Sequence, residues 1–320
     1  MDCLFLYTRL LSCCTLITTL LVMPVFAEPD DSGVGKQYSQ AEQLLNRVIV
    51  ANRYYSYEGL LTYEANGSLS TMHLQHYVDD SGDHNRVLQR LEFLDGADRH
   101  VVRNQPLKSC SDGQTRWGLW PAHFDIEDLK RHYHISIQGR ERIAGRQSWV
   151  LDFVPKDDFR YGYRLNVDVV TGLLLRSLVV ENNEIVERTQ FVALTLRSSL
   201  DSDQVDPQAS SWRVPEVDPC HTEQFQSAWY VDWLPDGFQP AGNRITAQGE
   251  QVLMFTDGLV SISVFITSGR YQDVPKITAR RGATVAVISP LSFDASSSVA
   301  VVGEIPAVTA RRIAVSVKSQ

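Results

Sequence analysis

The sequence predicts an α+β protein built mostly of antiparallel β-strands and divided into two domains of unequal size. Short segments of alternating apolar and polar residues follow one another with turn-forming residues between them, as in an antiparallel meander. A polar stretch punctuated by proline interrupts this series after residue 200, and 320 residues are enough for two domains. Hydrophobic residues make up 43% of the chain and charged residues 21%, which is typical of a folded protein.

The segment 1–27 is expected to be an export signal that is removed from the mature protein. Arg9 precedes an apolar run that ends in Val25-Phe26-Ala27, and small residues at this point suit a signal peptidase. Serine, threonine and proline interrupt the run, so a membrane-spanning helix, which needs about 20 mostly apolar residues, is the weaker interpretation.

An amphipathic helix opens the large domain, which we place at 28–200. Ser39 and Glu42 have the spacing of a capping box, in which each side chain satisfies a free backbone donor of the first turn. Apolar residues then recur with helical periodicity as far as Asn52. The helix therefore presents one apolar face to a core.

Strands follow this helix to the end of the large domain. Asn66-Gly67 joins the first two as a hairpin, because both residues tolerate a positive φ. A short helix is predicted at 125–131. Strands are predicted at 55–64, 68–78, 87–94, 100–103, 142–154 (with a turn inside it), 163–169, 173–180 and 185–196.

Two of these strands are apolar on both faces, because the runs 173–175 and 178–180 break strict alternation. One interpretation is a sheet that the protein core covers on both sides. The other is a curved sheet whose concave side accepts a helix or an apolar ligand. The residues leave both open.

The chain loses periodicity at 201–228, which we interpret as a linker because so long a structureless stretch is unusual inside a compact domain. The small domain follows at 229–320. Its strands are predicted at 252–255, 260–266, 284–288 and 299–302, and a helix at 306–317 has Pro306 near its first turn.

Charge and motifs exclude several classes of function. The 30 basic and 38 acidic residues give a net charge of −8, which argues against a general nucleic-acid binder. The motifs of serine hydrolases, zinc proteases and phosphate-binding loops are missing. His73 and His76 lack the helical spacing and the carboxylate of a zinc helix. We therefore predict no enzymatic activity, no metal and no cofactor.

Two cysteines, Cys110 and Cys220, remain beyond the export signal. In an oxidising compartment they could form a disulfide, but pairing depends on the separation of their Cα atoms, which the sequence does not give. Cys110 could also be a nucleophile, although no histidine or aspartate can be assigned to it from the sequence.

Tryptophans cluster at two places. Trp117 and Trp120 flank Gly118-Leu119, and Trp229 and Trp233 stand where the small domain begins. Core packing is the default role of such residues. Tryptophan is also among the side chains most used as anchors in protein interfaces, so contact with a ligand or partner is the alternative.

A series of motifs resembles the MucB/RseB family of periplasmic regulators of an envelope-stress sigma factor. In the small domain they are 233–238 (WLPDGF), 253–264 (LMFTDGLVSISV), 301–306 (VVGEIP) and 309–314 (TARRIA). In the large domain they are 139–146 (GRERIAGR) and 168–176 (DVVTGLLLR). They occur in matching order over most of the chain after the export signal.

This resemblance implies a fold and a function. The large domain would be an unclosed antiparallel β-barrel around helices, similar to lipoprotein carriers of the LolA/LolB type, followed by a smaller α+β domain. The protein would be periplasmic and would bind the periplasmic segment of a membrane anti-sigma factor of the RseA/MucA type. It would shield that segment from a site-1 protease of the DegS type until lipopolysaccharide or another amphiphile releases it. Homo-oligomers are possible, and no catalysis is needed.

The sequence yields two sets of candidate binding residues and one alternative function. The candidate partner contacts are Trp229, Trp233, Phe238, Phe255, Asp257 and Glu304. The candidate lining of a lipid cavity is Trp117, Trp120, Leu165, Val167, Leu173 and Leu175. The alternative is a periplasmic carrier of lipid or lipoprotein, which would use the same cavity and leave the small domain without an obvious role.

Overall fold

Two antiparallel sheets and a short two-stranded ribbon form the framework of the protein. The computed structural model describes residues 39–79, 86–97, 99–106, 125–197, 226–268, 276–291 and 297–320. The predicted export signal, most of the predicted linker, and the residues Cys110, Trp117, Trp120 and Cys220 lie outside these ranges. The described residues belong to one compact unit.

Helix α1 (Gln40–Tyr54) begins at the predicted capping box. The Ser39 backbone N–H donates to the Glu42 carboxylate at 2.7 Å, and the Glu42 N–H donates to Ser39 Oγ at 3.3 Å. Leu44, Leu45 and Val48 lie on the buried face. The periodicity of these residues therefore predicted both the start of the helix and the side that packs.

The larger sheet contains nine described strands in the order β4-β3-β2-β1-β9-β8-β7-β6-β5, with every neighbouring pair antiparallel. They are β1 (Ser56–Ala65), β2 (Ser68–Asp79), β3 (Arg86–Phe93), β4 (Arg99–Pro106), β5 (Tyr133–Ile143), β6 (Arg146–Pro155), β7 (Gly162–Asp168), β8 (Leu174–Glu181) and β9 (Glu184–Arg197). Helix α2 (Ile126–His132) precedes β5. Since β4 and β5 stay at opposite edges, the sheet is open.

Three tight turns set the register of this sheet. Asn66 and Gly67, Ala144 and Gly145, and Asn182 and Asn183 all have positive φ, between 49° and 76°. Positive φ at both central positions gives the hairpin turn whose twist matches that of the flanking strands. The turn residues of the sequence therefore placed these three hairpins correctly.

The smaller sheet has the order β11-β12-β13-β16-β15-β14 among the described strands. Its members are β11 (Gln239–Ile245), β12 (Gln251–Thr256), β13 (Ser261–Ser268), β14 (Ile277–Arg281), β15 (Thr284–Pro290) and β16 (Ser297–Gly303). Helix α3 (Ala307–Val315) packs on β15 and β16, and β10 (Trp229–Val231) pairs with β17 (Val317–Ser319). The fold class is thus confirmed as α+β and mostly antiparallel, with an open larger sheet and a smaller C-terminal domain.

Sequence periodicity missed several edge strands. β5 begins at Tyr133, well before the predicted Arg142, and a bulge between Ile137 and Gly139 breaks its pairing with β6. β14 is exposed along its whole length, and in β11 Ala241 is the one buried residue. An edge strand with few buried side chains carries little apolar alternation, so the pattern that reveals central strands is weak there.

Helix α1 packs against the larger sheet, and its Leu44, Leu45 and Val48 share one buried cluster with Leu165 and Val167. The Arg47 guanidinium donates to the carbonyl oxygens of Val169 at 2.8 Å and Val170 at 3.0 Å, which ties the helix to the β7–β8 turn. Among the described residues, no helix is long and apolar enough to cross a membrane.

Candidate functional site

The candidate site is the seam between the two sheets, where the loop 156–161 of the large domain contacts the small domain. It includes Phe159, Arg160, Tyr161, Glu181 and Glu187 on one side and Trp233, Asp257, Arg280, Gly282 and Thr309 on the other. It brings several of the sequence-predicted contact residues together.

Arg160 lies at the centre of the seam and is almost fully buried. Its Nη1 donates to the Asp257 carboxylate at 3.2 Å, and its Nη2 donates to the Asp236 carbonyl oxygen at 2.6 Å. Its Nε donates to both carboxylate oxygens of Asp157, within the same loop. One guanidinium therefore links the large domain to two separate loops of the small domain.

Asp257 is held in place by the turn that contains it. Its Oδ1 accepts hydrogen bonds from the backbone N–H groups of Leu259 and Val260, both at 3.0 Å, which leaves Oδ2 for Arg160. Burial raises the pKa of the Asp257 carboxyl, while the backbone hydrogen bonds and the Arg160 charge act in the opposite direction. A buried charge in this position needs its partner, because unpaired burial is costly.

Aromatic side chains flank the ion pair on the α3 side of the seam. The Phe159 ring meets the Trp233 ring edge-on, with centroids 5.0 Å apart, and the Arg312 guanidinium lies 3.9 Å from the Trp233 centroid. Thr309 Oγ1 donates to the Phe159 carbonyl oxygen at 2.9 Å. The loop 156–161 is thus joined to the start of α3 by a hydrogen bond and to Trp233 by an edge-on ring contact.

The β14–β15 turn forms the other end of the seam. Glu187 of β9 accepts from the Ala283 backbone N–H at 3.0 Å and from the Tyr63 hydroxyl at 3.1 Å. Arg280 donates to the Glu181 carboxylate at 2.7 Å. Gly282 has φ +61°, and a Cβ there would lie 2.4 Å from the Glu187 carboxylate. The positive φ favours glycine here, and a larger residue would also displace the Glu187 carboxylate.

A cleft of about 210 Å³ opens beside the ion pair. Its lining combines the start of α2, the 256–258 turn and the beginning of β11, and includes Asp125, Leu129, Pro240 and Asp257. At its base His132 approaches Gly237 so closely that a Cβ on that glycine would lie 2.1 Å from His132 Nε2. This volume suits a side chain of a partner rather than a whole lipid.

Three of the six predicted partner contacts lie in this seam. Trp233, Phe238 and Asp257 contact the large domain or its Arg160, with the Arg160 guanidinium 5.7 Å from the Phe238 ring centroid. Phe255 is buried in the core, while Trp229 and Glu304 are partly exposed. In this arrangement the first three side chains join the two domains, and their contact with a partner stays a prediction.

The described members of the predicted lipid cavity are fully buried. Leu165, Val167, Leu173 and Leu175 have between 0% and 2% of their surface exposed. The first three belong to the cluster that α1 completes. Helix α1 thus covers the inward face of this sheet. A lipid would have to displace the helix to reach these side chains. The cavity assignment also stays a prediction.

The sequence analysis did not identify four residues that make most of the contacts across the seam. They are Phe159 and Arg160 of the loop 156–161, Glu187 of β9 and Arg280 of β14. Arg160 follows Asp157-Asp158 in a polar stretch that has the composition of an exposed turn. No local pattern marks it for burial, because its carboxylate partner is distant in the sequence.

The contacts across the seam are ion pairs, hydrogen bonds and ring contacts. Among the described residues, no three histidine, cysteine or carboxylate side chains are grouped so that they could hold a metal ion.

His76 lies on the inward face of β2, stacked on Tyr57 with ring centroids 4.7 Å apart, whereas His73 is on the opposite face. Burial lowers the pKa of His76 to about 4, against a weaker opposing effect of its hydrogen bond to the Asn52 carbonyl.

Comparison with known protein families gives two matches. The description "MucB/RseB N-terminal domain" applies to residues 40–209, and "MucB/RseB C-terminal domain" applies to residues 223–318. Together they span most of the chain.

Similar proteins agree with these matches. The sigma factor AlgU regulatory protein MucB of Pseudomonas aeruginosa is 35% identical over 298 residues, which cover 89% of this chain and 92% of that protein. The sigma-E factor regulatory protein RseB of Haemophilus influenzae is 24% identical over 296 residues, 87% of this chain and 91% of that protein. A crystal structure of MucB in complex with MucA(peri) superposes with a TM-score of 0.68 at 34% identity, covering 88% of this chain and 99% of that one.

Proposed function

The chain belongs to the MucB/RseB family, and on that premise we propose that it regulates an envelope-stress sigma factor by binding a membrane anti-sigma factor of the MucA/RseA type. It acts in the periplasm, on the periplasmic segment of that partner. By covering the segment it delays the first proteolytic cleavage, and lipopolysaccharide or another amphiphile ends the protection.

The observation that carries this proposal is the similarity, over nearly the whole chain, to a MucB that was crystallised with MucA(peri). The similarity includes both domains, so it is not limited to a common scaffold. The predicted export signal supports the compartment, and the net charge of −8 disfavours direct contact with DNA. Action on a protein segment is the consistent way for such a chain to affect transcription.

The seam supports a regulator that is controlled by domain arrangement. Arg160, Glu187 and Arg280 fix one orientation of the two domains, so a partner that touches both meets a single composite surface. A ligand that binds better to another orientation shifts the population away from the partner-binding one. Release by an amphiphile then needs no chemical reaction.

The direct test is binding between two purified components. The chain without residues 1–27 is titrated with the periplasmic segment of the MucA-like protein from the same genome, by isothermal titration calorimetry. We expect saturable 1:1 binding, and a sequence-scrambled segment of equal composition serves as the control. Absence of binding to the native segment would refute the proposal.

Protection and release are tested with a DegS-type protease. The rate of cleavage of the segment should fall as the regulator is added, and lipopolysaccharide should restore it. If saturating regulator leaves the cleavage rate unchanged, the protective role is wrong. If protection occurs but lipopolysaccharide does not reverse it, only the release step is wrong.

The carrier alternative makes a different prediction in the same system. A carrier of the LolA/LolB type would move a lipoprotein from one membrane preparation to another, with no need for the anti-sigma segment. Transfer activity together with absent segment binding would favour it. The small domain, which Asp257 and Trp233 join to the large one, favours the regulatory function, because a lipid carrier would not need these interdomain contacts.

A further inference from the structure

The small domain's sheet is covered by a helix on one face. Arg311 of α3 donates to Thr278 Oγ1 at 3.4 Å, and Thr278 is paired with Val287 in the register of β14 and β15. Helix α3 therefore lies on the face that carries Val287. The same face carries other fully buried valines, such as Val285 and Val301.

The opposite face, which we name the outer face, consists of two registered rows of side chains that cross the strands. One row is Val252, Phe265, Ala300, Ile288 and Ile277. The other row is Met254, Ser263, Val302, Ala286 and Ala279. Nine of these ten residues are apolar. Both faces of the sheet, the outer face and the face covered by α3, are therefore apolar.

The outer face is accessible. Of the two rows, Val252 alone is buried; seven side chains are half-buried, and Ile277 and Ala279 are exposed, with Ile277 at 43%. Along β13, β15 and β16 the partly exposed residues alternate with fully buried ones. A continuous apolar surface of this kind is more often a binding site than a group of side chains that are exposed by chance.

Cations stand at two opposite ends of the outer face. Arg244 is paired with Val252 at the β11 edge, and Arg281 is paired with Thr284 at the β14 edge. Both are exposed, and neither forms an ion pair with a described residue. The two rows contain no acidic residue; Glu250 and the partly exposed Glu304 lie beyond them, and Glu250 accepts a hydrogen bond from Thr267 Oγ1 at 3.0 Å.

The geometry points to an occupant with apolar side chains in its middle and carboxylates near its ends. We propose that the outer face docks an amphipathic, acidic segment of the anti-sigma factor's periplasmic part, an assignment that rests on the proposed function. Five strand spacings separate β11 from β14, about 24 Å, which matches a helix of about 16 residues. Apolar contact would provide affinity, and the two arginines would fix direction.

A second copy of the chain fits this face less well. Two outer faces packed together would bring Arg244 and Arg281 of both copies to one apolar interface, with no carboxylate in the rows to oppose them. Burying unpaired like charges is unfavourable. An acidic partner segment removes this difficulty, whereas self-association creates it.

The test introduces charge at the centre of the outer face. Ala300→Glu places a carboxylate between Phe265 and Ile288. We expect the dissociation constant for the MucA-like periplasmic segment, measured by calorimetry, to rise by about tenfold or more, because the carboxylate would be buried without a partner. Val308→Glu is the matched control, since Val308 is exposed on α3, in the same domain. It should change the constant less than about twofold.

Two further variants keep the test independent of folding. Arg244→Glu with Arg281→Glu should weaken binding and reduce its dependence on salt, since attraction between exposed charges is screened by ions. Ile277→Glu, at the exposed edge, should also weaken binding, because its carboxylate would oppose the acidic end of the segment, and it is expected to fold normally. Thermal unfolding by circular dichroism confirms that each variant is folded.

The outcomes separate this inference from the proposed function. If the native chain binds the segment and all the outer-face variants bind equally well, the docking assignment is wrong while the proposed function stands. If the native chain does not bind, both are wrong. If Ala300→Glu converts a dimer to a monomer by light scattering without altering segment binding, the outer face serves self-association and the inference is overturned.

Discussion

Arg160 and Asp257 form the most buried ion pair that joins the two domains, with about 1% of each side chain exposed. Burying both charges is costly, and this desolvation is only repaid by close pairing and further hydrogen bonds. Asp236 and the 259–260 backbone supply those hydrogen bonds. The pair therefore favours one arrangement of the domains rather than adding much net stability.

Removal of one partner should expose this dependence. Asp257→Ala leaves Arg160 buried beside Asp157 alone, and we expect the free energy of unfolding to fall by about 3 kcal/mol. Asp158→Ala, at the exposed neighbouring position of the same loop, is the control and should change it by less than about 0.5 kcal/mol. Urea unfolding measures both. Equal effects of the two substitutions would show that the pair is unimportant.

His76 should make stability depend on pH. Its pKa is lowered from 6.5 to about 4 in the folded protein, mainly by burial, so the unfolded chain binds more protons between these values. The free energy of unfolding therefore falls as the pH drops from about 6.5 towards 4 and is fully present above 6.5. The difference between the native chain and His76→Gln should change by up to about 3 kcal/mol over this window.

Urea titrations at several pH values measure this effect. His134→Gln controls for loss of an imidazole as such, because His134 is exposed on β5. A native chain and a His76→Gln variant whose stabilities change in parallel from pH 7 to pH 4 would contradict the assignment.

At the scale of single elements, turns and caps in the sequence anticipated more than the strands did. Asn66-Gly67 and the Ser39–Glu42 capping box were predicted at the residues where the structure has them, because both act through local backbone geometry. β11 and β14 were not predicted, because an edge strand needs no alternation of apolar and polar residues. The terminal helix was predicted to end two residues too late, since Val317 instead pairs with Val231 in β17.

Gly237 and Gly258 give a matched pair for testing a loop at the seam. Both have φ +87°, so alanine costs a similar backbone strain at each. A Cβ at Gly237 would also collide with His132, whereas nothing lies within 4 Å of one at Gly258. We expect Gly237→Ala to lower the free energy of unfolding by about 1–3 kcal/mol more than Gly258→Ala. Equal losses in urea unfolding would show that His132 moves away without cost.

At the scale of the whole molecule, we expect the seam to make the two domains unfold together. Arg160 and Glu187 tie the large domain to opposite ends of the small one. We expect the double substitution Arg160→Ala and Glu187→Ala to convert one calorimetric transition into two. The control removes Arg164 and Asp152, an ion pair within the larger sheet, and should keep a single transition. One transition in both variants would mean that other contacts couple the domains.

The sequence by itself determined the class of fold, the tight turns, the capped first helix and the family, because each depends on residues close together in the chain or on motifs that can be read in order. Only the tertiary structure decided the candidate site. Arg160 meets Asp257, Glu187 meets Ala283, and Ala300 comes to lie between Phe265 and Ile288 through pairings distant in sequence. Such contacts depend on how the sheets are ordered and on which face α3 covers, and no local pattern of residues encodes either.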